Sequence, residues 1–277
     1  MFINTISESK SKTFKECQLK YRYRYVDRFK EEGSNTDALH FGSFIHKILE
    51  DGYQATTLQQ LTVIADSIRK DYKFSESYEP KIEKCLTNFL RFNATLAETV
   101  STEMVYEVVY DKEKDIKLNG IIDRIIKGSD GGYLIVDYKT SKRELSELDL
   151  YQDRQLQGYA YAVHKKLGVP LEKIVVSHYY PITNNFVSCK YSPNQIKHYL
   201  REKVNQVWKI RKMKKPEFKA MQNQFCNWCG YKSICPEFNS GSLCEERMAK
   251  LKNSKRCLLY TSPSPRDRTR SRMPSSA

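Results

Sequence analysis

The chain has no uninterrupted apolar stretch near the roughly 20 residues needed to cross a bilayer as a helix, so no membrane-spanning segment is expected. Its first residues, Met1–Lys12, are polar and lack the apolar run of a secretory signal, which predicts a cytoplasmic protein of a prokaryotic cell or virus-infected host. Paired disulfides are rare in that compartment, so clustered cysteines read as metal ligands. A Gly-rich phosphate loop is missing, and with it support for an ATP-driven motor; helicase motifs and internal repeats are missing too. Acidic residues are in short supply, 33 against 47 Lys and Arg, leaving a formal charge of +14. That balance suits a polyanionic partner, because each neutralised phosphate releases counterions. What is plentiful is core-forming material. At 277 residues, 40% hydrophobic and 12% aromatic, the chain can bury a substantial core.

Residues 257–277 differ from everything before them, with three prolines, four arginines and no apolar periodicity. The run from Cys257 through Asp267 resembles read-through into a sequencing adapter, so it is set aside as a non-native tail. Without its four Arg and one Asp the charge falls only from +14 to +11.

Helical patterns occupy the first third. Phe14, Leu19, Tyr23 and Val26 lie near helical spacing, and Leu39–Tyr53 reads as amphipathic through Phe41, Phe44, Ile45, Ile48 and Leu49. Two more follow at Leu58–Tyr72 and Ile82–Leu96. The pattern then switches to runs rich in Val, Ile and Tyr at Met104–Tyr110, Ile116–Ile126 and Tyr133–Tyr138, as in neighbouring strands. Leu145–Leu167 returns to helix and stops at Gly168-Val-Pro170. Ile174–Tyr180 and Phe186–Tyr191 read as strands, and Asn194–Lys212 as a basic helix. The fold class is therefore α/β: a central mixed sheet flanked by helices, with an N-terminal helical insertion and a C-terminal cysteine-rich segment. One domain over 1–245 is expected, with a helical part at about 39–100, a core at about 101–212 and the cysteine segment at 226–244.

Within the apolar run Gly120-Ile-Ile-Asp123-Arg sits one carboxylate, and fourteen residues later Ile135-Val-Asp137-Tyr-Lys139-Thr supplies another with a lysine. Residues two apart on a strand share a face, so Asp137 and Lys139 project together. On an adjacent strand, Asp123 would join them. Two carboxylates bind Mg²⁺ or Mn²⁺ through oxygen, and such an ion polarises a phosphodiester and activates water. A lysine beside it can orient that water or stabilise developing charge. The plainer alternative is a salt bridge at the strand ends.

Taken in order, the motifs resemble the PD-(D/E)XK nuclease superfamily, in its RecB-like branch. Phe41-Gly-Ser-Phe-Ile-His46 looks like its first motif, Gly120-Ile-Ile-Asp123 and Val136-Asp137-Tyr-Lys139 like its second and third, and Gln155-Leu-Gln-Gly-Tyr159 like its Gln-x-x-x-Tyr signature. The resemblance runs from about Ser7 to Phe238. It implies a restriction-endonuclease-like fold in which His46, Asp123 and Asp137 bind Mg²⁺ or Mn²⁺, with the Tyr138 carbonyl as a further ligand. Lys139 would serve the attacking water, and Gln155 and Tyr159 would position the substrate or Lys139. Glu107, on the preceding strand, is a weaker candidate. Taken singly, His46 also reads as a core histidine and the Gln155–Tyr159 pair as an ordinary helix-surface pairing. The implied activity is metal-dependent exonucleolytic cleavage of single-stranded DNA in recombination, repair, phage replication or CRISPR adaptation, beside a helicase or recombination partner. The alternative is a catalytically idle or zinc-binding DNA-binding module.

Cys226-Asn-Trp-Cys229 followed by Cys235 gives Cys-x₂-Cys-x₅-Cys, a spacing that suits zinc or an iron–sulfur cluster. A fourth ligand is needed, and local logic favours Cys244. The resemblance instead implies Cys17, and a [4Fe–4S] cluster on Cys17, Cys226, Cys229 and Cys235. Cys85 and Cys189 read as buried, inert thiols. Finally, Lys20-Tyr21-Arg22-Tyr-Arg24-Tyr interleaves cations with rings that could hold phosphates and stack bases, and Lys203–Lys215, with Trp208 and Lys209, is a second basic stretch. The first equally suits tyrosines packed inward beneath a solvated charged face, and the second suits an amphipathic surface helix slightly better.

Overall fold

The computed structural model describes residues 4–33, 37–111, 115–141 and 143–239. Two compact units emerge: Met1–Lys12 with Asn35–Lys214, and Thr13–Ser34 with Lys215–Ala277. In chain order the elements are β1 (Thr5–Ile6), α1 (Glu8–Glu16), α2 (Gln18–Tyr21), α3 (Asp37–Asp51), α4 (Leu58–Ile68), α5 (Glu79–Asn93), β2 (Glu98–Asp111), β3 (Ile116–Lys127) and β4 (Tyr133–Tyr138). Then come α6 (Glu147–Leu150), α7 (Arg154–Leu167), β5 (Ile174–Tyr180), β6 (Asn185–Cys189) and α8 (Pro193–Lys212). Among the described residues no helix is long and apolar enough to cross a membrane.

The larger unit is built on a six-stranded mixed sheet, ordered β1-β3-β4-β5-β6, with β2 pairing β3. β2 runs antiparallel along nearly the whole of β3. The opposite edge of β3 is shared: β1 lies parallel to Lys117–Leu118, and β4 lies antiparallel to Arg124–Lys127. Between those two contacts that edge of β3 has no strand partner among the described residues, and Asp123 stands at the end of the gap. β4 and β5 are parallel, so α6 and α7 serve as the crossover between them.

Helices α3–α5 pack on one face of the sheet. In α3, Phe41, Phe44, Ile45, Ile48 and Leu49 are all at most 1% exposed and meet Phe89 of α5 and Val136, Tyr138 and Tyr179 of the sheet. Each such side chain contributes about 1.5–3 kcal/mol by leaving water, so this stripe holds the helix that carries His46. α4 begins with a reciprocal capping box between Thr57 and Gln60, and α8 with one between Ser192 and Gln195 followed by Pro193. On the other face lies α7, against β5, β2, β3 and β4, with α8 packed behind it. The expected single helix over Leu145–Leu167 is in fact two. The chain turns at Tyr151–Gln152, and Asp153 restarts it by accepting the Leu156 N–H at 2.9 Å. The helix ends on Gly168, whose φ of 67° suits a residue without a side chain.

The smaller unit joins segments far apart in the chain. Leu19, Tyr23 and Phe29 pack with Tyr231 and Ile234. The Leu19 N–H donates to the Lys219 carbonyl at 2.9 Å, and the Tyr231 hydroxyl donates to the Phe29 carbonyl at 2.8 Å. Closing so long a loop is unfavourable in entropy, but the cost grows only slowly with loop length.

Candidate active site

Asp123 is carried on β3 and Asp137 on β4, both buried. β4 leaves the β3 ladder after Val136, and the Tyr138 N–H that would have continued the pairing donates instead to Asp123 Oδ2 at 2.9 Å. The carboxylate thus fills the gap in the sheet. His46 of α3 brings Nδ1 to 3.3 Å from the same oxygen, and its ring meets that of Tyr138 edge-on.

Lys139, just past β4, pairs with Asp137 Oδ2 at 2.5 Å. It also donates to Gln155 Oε1 at 3.3 Å, and the Gln155 amide donates to the Tyr159 hydroxyl at 2.6 Å. One turn of α7 therefore joins Gln155 and Tyr159 into a single line with Lys139. Tyr159 in turn meets the ring of Tyr106 from β2. α7 can lie this close because residue 158 is glycine: a Cβ there would stand 2.7 Å from the Tyr199 hydroxyl.

The two carboxyls have been driven apart. Burial pushes Asp137 up to about 6; Lys139 opposes this and Asp123 adds to it. Burial also acts to raise Asp123, but the His46 ring, the Tyr138 N–H and Lys139 together outweigh it and hold this carboxyl below its ordinary value. Burial would lower Lys139, yet the two carboxylates keep it above its usual range, so it is firmly an ammonium. Oppositely shifted acids side by side are a common mark of a reacting centre.

One member was missed in the sequence. Glu103 of β2 brings a carboxylate oxygen within 4.8 Å of a donor atom from each of His46 and Asp123, a group able to hold a metal ion. The β2–β3 register, running from Glu107↔Asn119 to Thr102↔Arg124, sets Glu103 opposite Asp123, and its backbone is left-handed with φ 46°. Three donors of this type, one imidazole and two carboxylates, suit a divalent cation. Glu107, the residue weighed for that strand, instead pairs on the surface with Lys117 Nζ at 2.9 Å.

The expected iron–sulfur centre is corrected by the same comparison of donor atoms. Cys17, Cys226, Cys229 and Cys235 line a common cavity in the smaller unit with Met221, Phe225 and Phe238. No three of their sulfurs reach the mutual 4.8 Å spacing of His46, Glu103 and Asp123, which is the metal-holding group among the described residues. Cys17 Sγ accepts the Lys20 N–H at 3.4 Å and Cys226 Sγ the Asn223 N–H at 3.3 Å. Burial raises the Cys229 and Cys235 thiols, favouring their protonated form over the thiolate that binds metal. Among the described residues there is therefore no [4Fe–4S] ligand set and no distinct C-terminal cysteine cluster. Cys244 and the tail at 257–277 lie outside the described residues. Cys85 and Cys189 are buried, and burial pushes their thiols up to about 12 and about 11.

The basic and aromatic residues are dispersed. Tyr21 is 1% exposed, packed on Phe14, Tyr25 and Phe218, so its ring is not offered to solvent. Arg22 Nε donates to Asp27 at 2.8 Å. Arg24 is half-exposed, 3.5 Å from Glu31, and Lys209 is exposed in the last turn of α8.

Comparison with known proteins places these features in a wider group. A profile described as the PD-(D/E)XK nuclease superfamily matches residues 5–236. One of the subunits of the ATP-dependent helicase/deoxyribonuclease of Streptococcus agalactiae is 31% identical over 172 residues, 56% of this chain and 16% of that protein. The Streptococcus uberis counterpart is 28% identical over 181 residues, 58% of this chain and again 16% of its own length. The chain thus spans about one sixth of these relatives. A solved Eubacterium rectale structure, named as a proposed exonuclease, superposes with a TM-score of 0.54 at 13% identity, over 97% of this chain and 94% of that one. That likeness concerns the fold.

Proposed function

We propose, on the premise that this chain belongs to the PD-(D/E)XK nuclease superfamily, that it hydrolyses phosphodiesters of single-stranded DNA from an end. The observation carrying this reading is the meeting of His46, Glu103 and Asp123 at the open edge of β3, beside the Asp137–Lys139 pair. The donor set fits a divalent cation: one imidazole and two carboxylates share a partly buried spot, and a third carboxylate, Asp137, stands beside it. His46, Asp123 and Asp137 would hold the ion, with Glu103 as a further ligand. Such an ion lowers the pKa of a bound water and polarises a phosphoryl oxygen.

The protein's own groups do the rest. Lys139 remains protonated, so it orients the attacking water and neutralises charge growing on the phosphate. Gln155 accepts from the Lys139 ammonium and is itself held by Tyr159, which keeps the lysine aimed. The Tyr138 N–H fixes one oxygen of Asp123, leaving the other for the ion. The excess of basic residues draws the polyanionic strand in. Kinship with helicase/deoxyribonuclease subunits supports a helicase or recombination partner that supplies unwound strand; the sequence itself has no phosphate loop to drive unwinding.

The test is digestion of end-labelled single-stranded DNA with Mg²⁺, Mn²⁺ or Ca²⁺ added singly, with EDTA and Lys139→Ala controls. Stepwise shortening that requires the cation and vanishes in the variant is expected. Strand binding without cleavage by the wild type would overturn the reading in favour of an idle DNA-binding module.

A further inference from the structure

His178 is 1% exposed on β5, directly across from Asp137 in the parallel β4–β5 pairing. Residues paired in this way share a face, so its ring lies beside the candidate centre and under the start of α7. Its Nε2 is 3.4 Å from Asp137 Oδ2 and 3.6 Å from Asp153 Oδ2. Neither contact makes a full hydrogen bond, and among the described residues Nε2 is a buried nitrogen without one. On its other side Nδ1 lies 3.4 Å from the Tyr180 hydroxyl, which accepts the Leu145 N–H at 2.9 Å. That hydroxyl therefore has its proton free for Nδ1, which assigns the ring proton to Nε2, aimed between the two carboxylates.

Asp153 is not an incidental neighbour. It is the residue that restarts the helix after the turn at Tyr151–Gln152, and the helix it caps carries Gln155 and Tyr159. A single buried ring thus faces both Asp137 and the anchor of the helix that aims Lys139. A buried polar group left unsatisfied is unfavourable, so a ring set between two acids calls for an explanation. Contacts of reacting groups are often long in the unliganded state and tighten when the centre is loaded.

We infer that His178 is a positioning residue: its Nε2–H holds Asp137 Oδ2, turning the other oxygen toward the cation, and ties that carboxylate to Asp153 and so to the helix bearing Gln155 and Tyr159. This rests on the proposed role of Asp137 as a cation ligand. Partners of this kind around metal ligands are worth about 10- to 100-fold in affinity when removed. Glutamine can place an amide N–H near the position of Nε2, whereas leucine offers only bulk.

The experiment is Mn²⁺ binding followed by loss of the free-ion EPR signal. Wild type, Asp137→Asn, His178→Leu, His178→Gln and Asp153→Asn are compared, with thermal melting of each. Asparagine at 153 can still cap the helix but lacks the charge. Expected are a 10- to 100-fold weaker Mn²⁺ affinity in His178→Leu, recovery to within about threefold of wild type in His178→Gln, and an intermediate loss in Asp153→Asn. If His178→Leu melts early, the last two variants alone decide. Affinity unchanged in His178→Leu and Asp153→Asn, while Asp137→Asn abolishes binding, would overturn the inference and leave the site reading intact. Wild-type protein that binds no Mn²⁺, or Asp137→Asn that binds as well as wild type, would overturn the site reading and with it the inference.

Discussion

Two regions of this chain are stocked with metal-ligating residue types, and among the described residues only one brings donors into a tight group. Between Glu103 and Lys139 the donors ride on long paired strands, where register dictates which side chains meet. Thr102↔Arg124 fixes Glu103 against Asp123, and Asp137↔His178 fixes the next pair. From Cys226 to Cys235 the sulfurs sit in or just after two single-turn helices, Cys226–Trp228 and Lys232–Ile234, whose backbone bonds are local. A dense spacing of ligand types is thus weaker evidence for a metal group than modest residues on strands whose pairing is known.

The sharpest way to break this contrast is at its strongest point. Asp123→Asn should abolish cation-dependent cleavage, and Lys139→Ala should lower it by about 10²–10³-fold with the cation still bound; cleavage assays and calorimetry check the two separately. Next, Glu103→Gln should weaken divalent-cation binding by about 10- to 100-fold while Glu107→Gln leaves it unchanged, since exposed Glu107 pairs with Lys117 away from the group. Equal effects would mean that the register argument fails.

A third prediction concerns pH. Asp137 is pushed up to about 6 in the ion-free protein, so below that value it is neutral and must lose a proton to bind a cation. Affinity should therefore rise with pH up to about 6, by at most about tenfold per unit, and level off above it. For this raised acid the sign in stability is the reverse of the usual carboxylate. Its protonated form is favoured in the fold, and stability is lost as pH rises through the unfolded value toward about 6. Gly158→Ala sets a Cβ against the Tyr199 hydroxyl, so overpacking should destabilise the protein by about 1–3 kcal/mol in denaturant unfolding. The smallest effect is expected on the other side of the comparison: Cys226→Ser should leave divalent-cation affinity at the strand site unchanged by calorimetry.

How much of this was legible beforehand follows the range of the interactions. Tyr133–Tyr138 and Ile174–Tyr180 coincide with their expected strands, because each is a compact β-branched and aromatic run. Asp123, Asp137 and Lys139 converge, as strand alternation and a β3–β4 hairpin require. His46 was ambiguous on its own helix; the order of the motifs made it a candidate ligand by resemblance, and the fold sets it with Glu103 and Asp123. Glu103 required the β2–β3 register and a left-handed residue, neither of which periodicity reports. His178 was inaccessible in principle, since parallel pairing across a helix crossover leaves no local trace. The break at Asp153 was also missed, because the apolar pattern continues through it and only the capping aspartate marks the restart.

The smaller unit has a consequence for biosynthesis. Leu19, Tyr23 and Phe29 leave the ribosome about 200 residues before their packing partners Tyr231 and Ile234. At roughly 5–20 residues per second, these apolar side chains wait on the order of 10 to 40 s. This cluster therefore closes only after the intervening chain has been made, whereas the strands around Asp123 and Asp137 are near neighbours in sequence and can pair as soon as they appear.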